Sequence, residues 1–322
     1  MQDKKRTWGK FILEVVFLVA LFTLVQYFIT TGILNRYYQI NLTLMGINVI
    51  LAVSLNLING FTGQLSLGHA GFMAIGAFAS VIMTTMLEYP FIIGIIIAML
   101  AAAVAGFIIG VPTLRLKGDY LAIATLGFGE IIRVVLQNID YTGGPAGISG
   151  IAKMTTWPVL FIAVVVTIVV IVNMINSSYG RAIISVREDE VAAEIMGINT
   201  TKYKVLAFVV GAAFAGLAGA LYAHYFYIIK PETFNFLKSF DILVMVVLGG
   251  LGSTTGAVIA AMFITVLNAF LQEYAAVRMI IYALILIIVM IYRPQGLLGN
   301  KELTRKSFDR IWGGKHVSST NK

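Results

Sequence analysis

The stretch Gly63 to Phe78 reads GQLSLGHAGFMAIGAF, and in it glycines and polar side chains interrupt an otherwise apolar sequence. The segments on either side are apolar enough to span a bilayer. In hydrocarbon each unsatisfied backbone polar group is costly, so such a segment requires surrounding protein or a water-filled path. The stretch therefore predicts a broken helix on a translocation path. The candidate path residues are Gly63, Gln64, Ser66, Gly68 and His69. For His69 the alternative is a packing or hydrogen-bonding role.

The composition indicates a membrane protein. Hydrophobic residues make up 59% of the chain, charged residues 12%, and the mean hydropathy is +0.91. A soluble domain could not bury that much apolar surface. Apolar stretches recur along nearly all 322 residues, which predicts one membrane domain over residues 1–300 and a basic cytoplasmic tail over 301–322.

The positions of the apolar stretches predict an all-α polytopic fold with about eight spanning helices. The expected spans are Phe11 to Thr31, Ile40 to Ile58, Phe72 to Leu87, Pro90 to Val111, Leu121 to Gln137, Trp157 to Ile175, Val205 to Phe226, and Met279 to Tyr292. Most of them are near the length that crosses roughly 30 Å of hydrocarbon.

Basic residues give the expected orientation. The net charge of +8 comes from Lys and Arg that collect at segment ends and at both termini, as in membrane proteins, so it does not point to nucleic acid. The short basic connections are the N-terminus, Arg115 with Lys117, Arg181 to Lys204, and the tail from Arg293. The positive-inside rule places all four, and therefore both termini, in the cytoplasm.

A second Gly-rich break lies in the block Phe240 to Gln272. Its two apolar halves are separated by GGLGSTTG, Gly249 to Gly256, and the first half is too short to cross alone. The span after Lys204 leads outward, and the last span must return to the cytoplasm. The block between them should therefore make no net crossing, and we expect a re-entrant pair of helices. A Gly-rich break in each half is typical of transporters with internal repeats. The candidate path residues here are Gly249, Gly250, Gly252 and Ser253.

The segment 177–204 is long, carries charges of both signs and has a helical pattern, which predicts a cytoplasmic docking surface. Val191, Ile195 and Ile198 form an apolar stripe at spacings of four and three. Gly197 is placed to end the helix. The residues predicted to contact a partner are Glu188, Glu190, Val191, Ala192, Ala193, Glu194 and Gly197. The alternative is an amphipathic helix on the lipid headgroups, which its acidic residues disfavour.

With these motifs the chain resembles the membrane subunit of branched-chain amino acid ABC importers, in the hydrophobic amino acid uptake group. The resemblance extends over GQLSLGHAGF from Gly63, RLKGDYLAIATLGFGEIIR from Arg115, TGGPAGISGI from Thr142, the helix just described, and LGGLGSTTGAVIAA from Leu248. In ABC permeases a cytoplasmic E-A-A-x-x-x-G pattern docks into the ATPase. Ala192, Ala193 and Gly197 match it, whereas the acidic position falls on Val191, with Glu190 one residue earlier.

The resemblance implies several partners and a cargo. The partners are cytoplasmic ABC ATPase subunits, a second homologous permease subunit, an extracytoplasmic substrate-binding protein and membrane lipid. The cargo is leucine, isoleucine and valine, with other amino acids, amides or urea as the cargo of relatives. The implied location is the cytoplasmic membrane, and the identity of the second permease subunit stays open.

The sequence predicts no enzyme activity in this chain. No G-x-x-x-x-G-K-[ST] loop is present to hold phosphates, so ATP would be used by a separate subunit and no cofactor is expected. The three histidines are scattered, and no cysteine is available as a nucleophile or metal ligand. An enzyme embedded in the membrane is therefore a distant alternative.

Glu130 and Arg133 are the ionisable pair that matters most within the spans. A charge at a helix centre costs at least about 2.5 kcal/mol, so each of them needs a partner or a wet path. Three positions apart, they share a helix face and can neutralise each other. The alternative is that they line the path and meet the ammonium and carboxylate of a zwitterion. A stand-alone channel or ion-coupled carrier is the competing function, in which Glu130 would be the coupling acid.

Overall fold

The computed structural model describes residues 16, 18–113, 116, 118–272, 280, 281, 284, 287, 291, 292 and 296. Most of the predicted span Met279 to Tyr292 and all of the tail 301–322 lie outside the described residues. The helices are α1 (Leu18–Thr30), α2 (Arg36–Asn56), α3 (His69–Val81), α4 (Phe91–Thr113), α5 (Asp119–Asn138), α6 (Trp157–Asn176), α7 (Ser178–Glu188), α8 (Glu190–Ile195), α9 (Thr200–Ala223), α10 (Phe236–Gly249) and α11 (Thr254–Phe270). Leu57–Phe61 and Ile82–Met86 extend α2 and α3 as π-helical turns.

Five of the described helices are long and apolar enough to cross a membrane: α2 and α3 with their π-helical turns, α4, α6 and α9. In α2, α3 and α9 most residues are buried inside the chain, so these helices form the core. In α4 and α6 most residues are partly or fully exposed, although both helices are strongly apolar. An apolar and exposed helix face is suited to contact with lipid, which makes this a helical membrane protein.

Small residues let the core helices approach closely. Gly76 of α3 lies against the backbone of Gly216 in α9, and a methyl group on Gly76 would overlap it. A methyl group on Gly216 would overlap Ala98 and Ala102 of α4. Gly106 of α4 meets Ala212 of α9 in the same way. Within lipid such close packing replaces the hydrophobic effect as the force between helices. Helices α3, α4 and α9 thus form the most closely packed part of the described bundle.

Helices α10 and α11 form a hairpin beside α2. The Tyr37 hydroxyl at the start of α2 donates to the Ala269 carbonyl at the end of α11, at 2.8 Å. The Asn56 side chain at the end of α2 bonds the turn before α11. Arg187 of α7 bonds the Gly60 carbonyl just after α2, so the hairpin turn lies at the end of the bundle that carries α7 and α8, here called the α7–α8 end. The start of α10 and the end of α11 both lie toward the opposite end of the bundle, as a re-entrant pair requires.

The opposite end carries a short two-stranded ladder that the all-α prediction did not include. Strand β1 (Ile148–Ser149) pairs antiparallel with β2 (Ile228–Ile229), with Ile148 opposite Ile229. Three 3₁₀ turns, Asp140–Thr142, Gly144–Ala146 and Pro231–Phe234, flank it. Gly147, at φ +75°, packs against the Ile229 carbonyl, where a side chain would not fit. Glycine in TGGPAGISGI thus permits this local pairing.

Candidate functional site

The first break in the chain is the non-helical segment 62–68, between the π-helical turn that ends α2 and the start of α3. The Asn59 side chain holds this segment by two hydrogen bonds to one residue. Its Oδ1 accepts from the Ser66 N–H at 3.1 Å, and its Nδ2 donates to the Ser66 carbonyl at 3.3 Å. An amide side chain thus replaces the missing helix hydrogen bonds, so this polar backbone is satisfied by protein.

The side chains predicted to line a path in this segment lie inside the chain. Gln64, Ser66 and His69 are 5%, 0% and 0% exposed. His69 Nε2 lies 2.9 Å from Ser54 Oγ of α2. Ser66 Oγ and His69 Nδ1 have no hydrogen-bond partner among the described residues. In the single chain Ser66 and His69 are fully enclosed and Gln64 is nearly so, whereas the residues Gly63 and Leu65 are exposed.

Gly68 sets the distance between α3 and α5. A Cβ on Gly68 would overlap the Thr125 carbonyl of α5, and Gly71 meets Gly129 of α5 one turn later. The Thr125 hydroxyl accepts from the Leu67 N–H at 3.0 Å. Ser239 of α10 accepts from the Ala70 N–H at 3.1 Å. The otherwise unpaired N–H groups at the start of α3 are thus bonded by α5 and α10.

The second break is a tightly packed turn. Gly250 and Gly252 adopt φ of +109° and +88°, which a side chain would disfavour. Asn56 of α2 accepts from the Gly252 N–H and donates to the Ser253 carbonyl, each at 3.0 Å. The predicted path residues Gly249, Gly250, Gly252 and Ser253 are all buried in these contacts. In the single chain they close the hairpin and face no open surface.

The two breaks meet at Gly60. A methyl group on Gly60 would overlap both the Gly252 nitrogen and the Asn56 side chain. Gly60 lies in the π-helical turn directly before the first break, and Gly252 lies in the second. The junction combines residues that are far apart in the sequence, so the motifs alone did not reveal it.

Glu130 and Arg133 form the ion pair expected from their spacing, and a third charge joins it. Arg133 Nε donates to Glu130 Oε2 at 2.8 Å, and Arg133 Nη1 donates to Glu232 Oε1 at 2.7 Å. Gln137 also donates to Glu232. The other Glu130 oxygen accepts from the Phe236 N–H, at the start of α10, at 3.0 Å. The sequence reasoning missed Glu232, because 99 positions separate it from Arg133.

The segment 177–204 contains the predicted helix with both of its ends capped. Asp189 accepts from the Ala192 N–H at 3.0 Å and begins α8. Gly197, at φ +84°, ends it, and the Ile198 N–H donates back to the Ala193 carbonyl at 3.0 Å. This is a left-handed glycine cap. The expected role of Gly197 in ending the helix agrees with this geometry.

Helix α8 exposes apolar side chains and directs an acidic one toward its own chain. Val191, Ile195 and Met196 are 62%, 79% and 81% exposed. The sequence stripe included Ile198, which is half-buried, and missed Met196. Glu190 pairs with Lys204 of α9 at 2.6 Å, and Glu194 accepts from the Thr200 hydroxyl at 2.9 Å. Ala193 is buried. The apolar trio is named the α8 patch.

A cavity of about 230 Å³ connects the first break with the α7–α8 segment. Its lining includes Thr62, Gly63, Gln64 and Leu65 from the break, Leu116, Gly118 and Leu121 before and in α5, and Val186, Arg187, Glu188, Asp189, Glu190 and Lys204. Many of these side chains are charged or polar, in contrast to the lipid-exposed helices. The break and the exposed helix thus share one polar space.

Comparison with known proteins identifies the family. Residues 37–291 match the family described as branched-chain amino acid transport system, permease component. The high-affinity branched-chain amino acid transport system permease protein LivM of Escherichia coli is 36% identical over 90% of this chain and 76% of its own length. A probable LivM of Methanocaldococcus jannaschii is 25% identical over 80% and 92%. The permease LivH of Salmonella typhimurium is 32% identical over 46% and 48%. The chain therefore belongs to the family of permease components of branched-chain amino acid transport systems.

Proposed function

We propose that this chain is one of two permease subunits of an ABC importer in the cytoplasmic membrane, carrying branched-chain or related amino acids. A separate ATPase supplies the energy, and an extracytoplasmic binding protein delivers the cargo. The family supports the transport role. The observation that supports an ATP-driven mechanism is the α8 patch, an exposed apolar surface at the end of a charged, capped helical segment.

The α8 patch fits a protein partner better than it fits lipid or water. Three large apolar side chains on two turns are exposed, and Glu188 and Glu194 lie beside them. Carboxylates at this position are repelled by anionic headgroups. A groove of a cytoplasmic ATPase could cover the apolar side chains while the carboxylates remain hydrated. Because Glu190 is paired with Lys204, the docking contact is mainly apolar.

The proposed topology places the α7–α8 end in the cytoplasm. With α1 and α5 added to the five apolar helices, and with one span near residues 280–292, the chain makes about eight crossings. Both termini are then cytoplasmic, and the α10–α11 hairpin re-enters from outside. The ladder of β1 and β2 faces the side from which cargo arrives.

The proposed path runs along α5, beside a second permease subunit. Glu130 and Arg133 are partly exposed on a helix with few buried residues, and such a charged surface is not compatible with lipid. The similarity to both LivM and LivH favours a paralogue as the second subunit. The Gly63 to His69 break and the Gly249 to Ser253 turn then act on the path mainly through the backbone, since the side chains of Ser66, His69 and Ser253 are fully buried.

An ion-coupled carrier would need an acid in the membrane that takes up a proton or sodium. Glu130 was the candidate, and it is held by Arg133 and by the Phe236 N–H. Each of its two carboxylate oxygens thus already accepts a hydrogen bond from within the chain. This contact therefore favours the ATP-driven importer.

The test is Ile195→Glu, with Ile195→Met as its matched control. The exposed fraction of Ile195 means that neither change should alter folding. Burying such a side chain contributes about 1.5–3 kcal/mol, so the Glu variant should lose at least about tenfold in ATPase affinity. Co-purification of the ATPase and uptake of labelled leucine are measured. Normal co-purification and uptake of the Glu variant would show that the patch is not the docking site.

A further inference from the structure

Arg187, at the end of α7, joins the exposed helical segment to the first break. Its Nη1 donates to the Gly60 carbonyl at 3.0 Å. Its Cγ lies 2.9 Å from the position that a Cβ on Gly63 would occupy. Its Nε donates to Glu188 Oε1 at 3.1 Å. Arg187 thus contacts the residue Gly60 before the break and Gly63 at its start, and it belongs to the segment that carries the α8 patch.

The Gly60 carbonyl is a natural acceptor for this cation. The last carbonyls of a helix lack a partner within the helix, and Gly60 lies in the final turn before the break. Basic side chains at a helix C-terminus bond such carbonyls and are stabilised by the helix dipole. The partner usually comes from the same helix end, whereas here it comes from a residue 127 positions away.

The opposite side of Gly60 touches the second break. Gly252 lies against it without room for a methyl group, and Asn56 fixes Gly252 and Ser253 by two hydrogen bonds. A shift of the Gly60 backbone must therefore shift the α10–α11 turn as well, because closely packed groups transmit displacement. Arg187 thus reaches both breaks through one residue.

Helix α10 connects this turn with the charged cluster on α5. It has 14 residues, a length of about 21 Å, and ends at Gly249 beside the turn. At its other end Glu130 accepts from the Phe236 N–H. The continuous set of contacts runs from Arg187 to Gly60, to Gly252, along α10 and to Glu130.

We propose that Arg187 is a positioning residue that couples ATPase movement to the transport path. Docking at the α8 patch moves α7 and α8, Arg187 shifts Gly60 and the α10–α11 turn, and α10 moves against Glu130 and Arg133. This inference rests on the proposed ATPase docking of this segment. Substitution of Arg187 should therefore change the amount of substrate transported per ATP hydrolysed and leave the binding of the ATPase unchanged.

The experiment uses the complete importer in proteoliposomes, with the ATPase, the second permease and the binding protein. Arg187→Gln removes the positive charge and the guanidinium hydrogen-bond donors, whereas Arg187→Lys keeps a positive charge and a donor. The control is Arg181→Gln on the same helix, whose side chain bonds Ser178 on the same helix. ATPase co-purification, ATP hydrolysis and leucine uptake are measured on the same preparations.

Arg187→Gln should assemble normally and lose at least tenfold in leucine taken up per ATP hydrolysed, while Arg187→Lys recovers part of this ratio and Arg181→Gln keeps it. An unchanged ratio for Arg187→Gln overturns the inference. Loss of ATPase binding in both Arg187 variants also overturns it, because the residue would then act in docking or folding. The proposed docking function is decided separately by Ile195→Glu, so the two failures are distinguishable.

Discussion

Glu130 accepts a hydrogen bond from the Phe236 N–H at 3.0 Å, and this contact attaches the start of α10 to the middle of α5. The same carboxylate pairs with Arg133 through its other oxygen. One side chain therefore neutralises a cation on α5 and also satisfies an unpaired N–H at a helix start. The two roles can be separated by substitution.

Glu130→Gln should be milder than Glu130→Leu. The amide keeps an oxygen for the Phe236 N–H, and the lost ion pair is partly exposed, so its contribution is about 0–1 kcal/mol. Leucine also removes the acceptor, which adds about 1 kcal/mol. Thermal unfolding of the purified complex measures the difference. Equal melting temperatures for the two variants would show that the Phe236 contact does not stabilise the fold.

Gly68→Ala should disrupt packing between α3 and α5. The new methyl group would overlap the Thr125 carbonyl, and such overpacking costs about 1–3 kcal/mol. Gly127→Ala on α5 is the control, since a Cβ there meets nothing within 4 Å. Alanine favours helix at that position by up to about 1 kcal/mol. The yield of assembled complex and the uptake of leucine are measured together.

The combination of yield and uptake distinguishes the interpretations of Gly68. A reduced yield for Gly68→Ala alone is the result expected from the contact with Thr125. Full assembly with blocked uptake would instead assign Gly68 to the path itself. Normal assembly and normal uptake would contradict the close approach of the two helices.

A disulfide should form between cysteines introduced at Gly63→Cys and Arg187→Cys. A Cβ at Gly63 would lie 3.7 Å from the Arg187 Cβ, within the range of about 3.5–4.5 Å found in disulfides. The chain has no native cysteine, so no other pair competes. A side chain on the left-handed backbone of Gly63 adds about 1–2 kcal/mol of strain whether its thiol is free or paired, and the control pair below carries the same strain.

Formation of the disulfide is measured as protection of the two thiols from a maleimide reagent. Dithiothreitol should reverse this protection. The control pairs Gly63→Cys with Arg181→Cys, about 9 Å further along α7 by helix rise. This pair should stay reduced. Equal oxidation of both pairs would indicate random collision and would contradict a fixed contact between α7 and the break.

Tyr227→Cys and Gln272→Cys should both react with an impermeant thiol reagent added outside intact cells. Both residues are exposed and flank the α10–α11 hairpin. Ser239 is unsuitable as a labelling site because it is buried against Ala70. Val191→Cys on α8 should react only after permeabilisation. Labelling of Tyr227→Cys and Gln272→Cys from opposite sides would disprove the re-entrant hairpin.

The sequence by itself determined the membrane class, the family resemblance, the positions of the two Gly-rich breaks and the capped helix that ends at Gly197. These features follow from local chemistry. Long apolar stretches need lipid, glycine permits backbone that other residues disfavour, and the spacing of three between Glu130 and Arg133 places them on one helix face. The sequence also predicted Gln64, Ser66 and His69 as path residues, with a packing or hydrogen-bonding role as the alternative for His69, and in the single chain these side chains are buried.

Only the tertiary structure decided which distant groups meet. It placed Glu232 beside Arg133, directed Glu190 to Lys204, and brought Gly60, Gly252 and Arg187 into one junction. None of these contacts has a sequence spacing that a helix or strand period would reveal. They depend on how closely whole helices approach, and that distance is set by the combined packing of small residues along several helices.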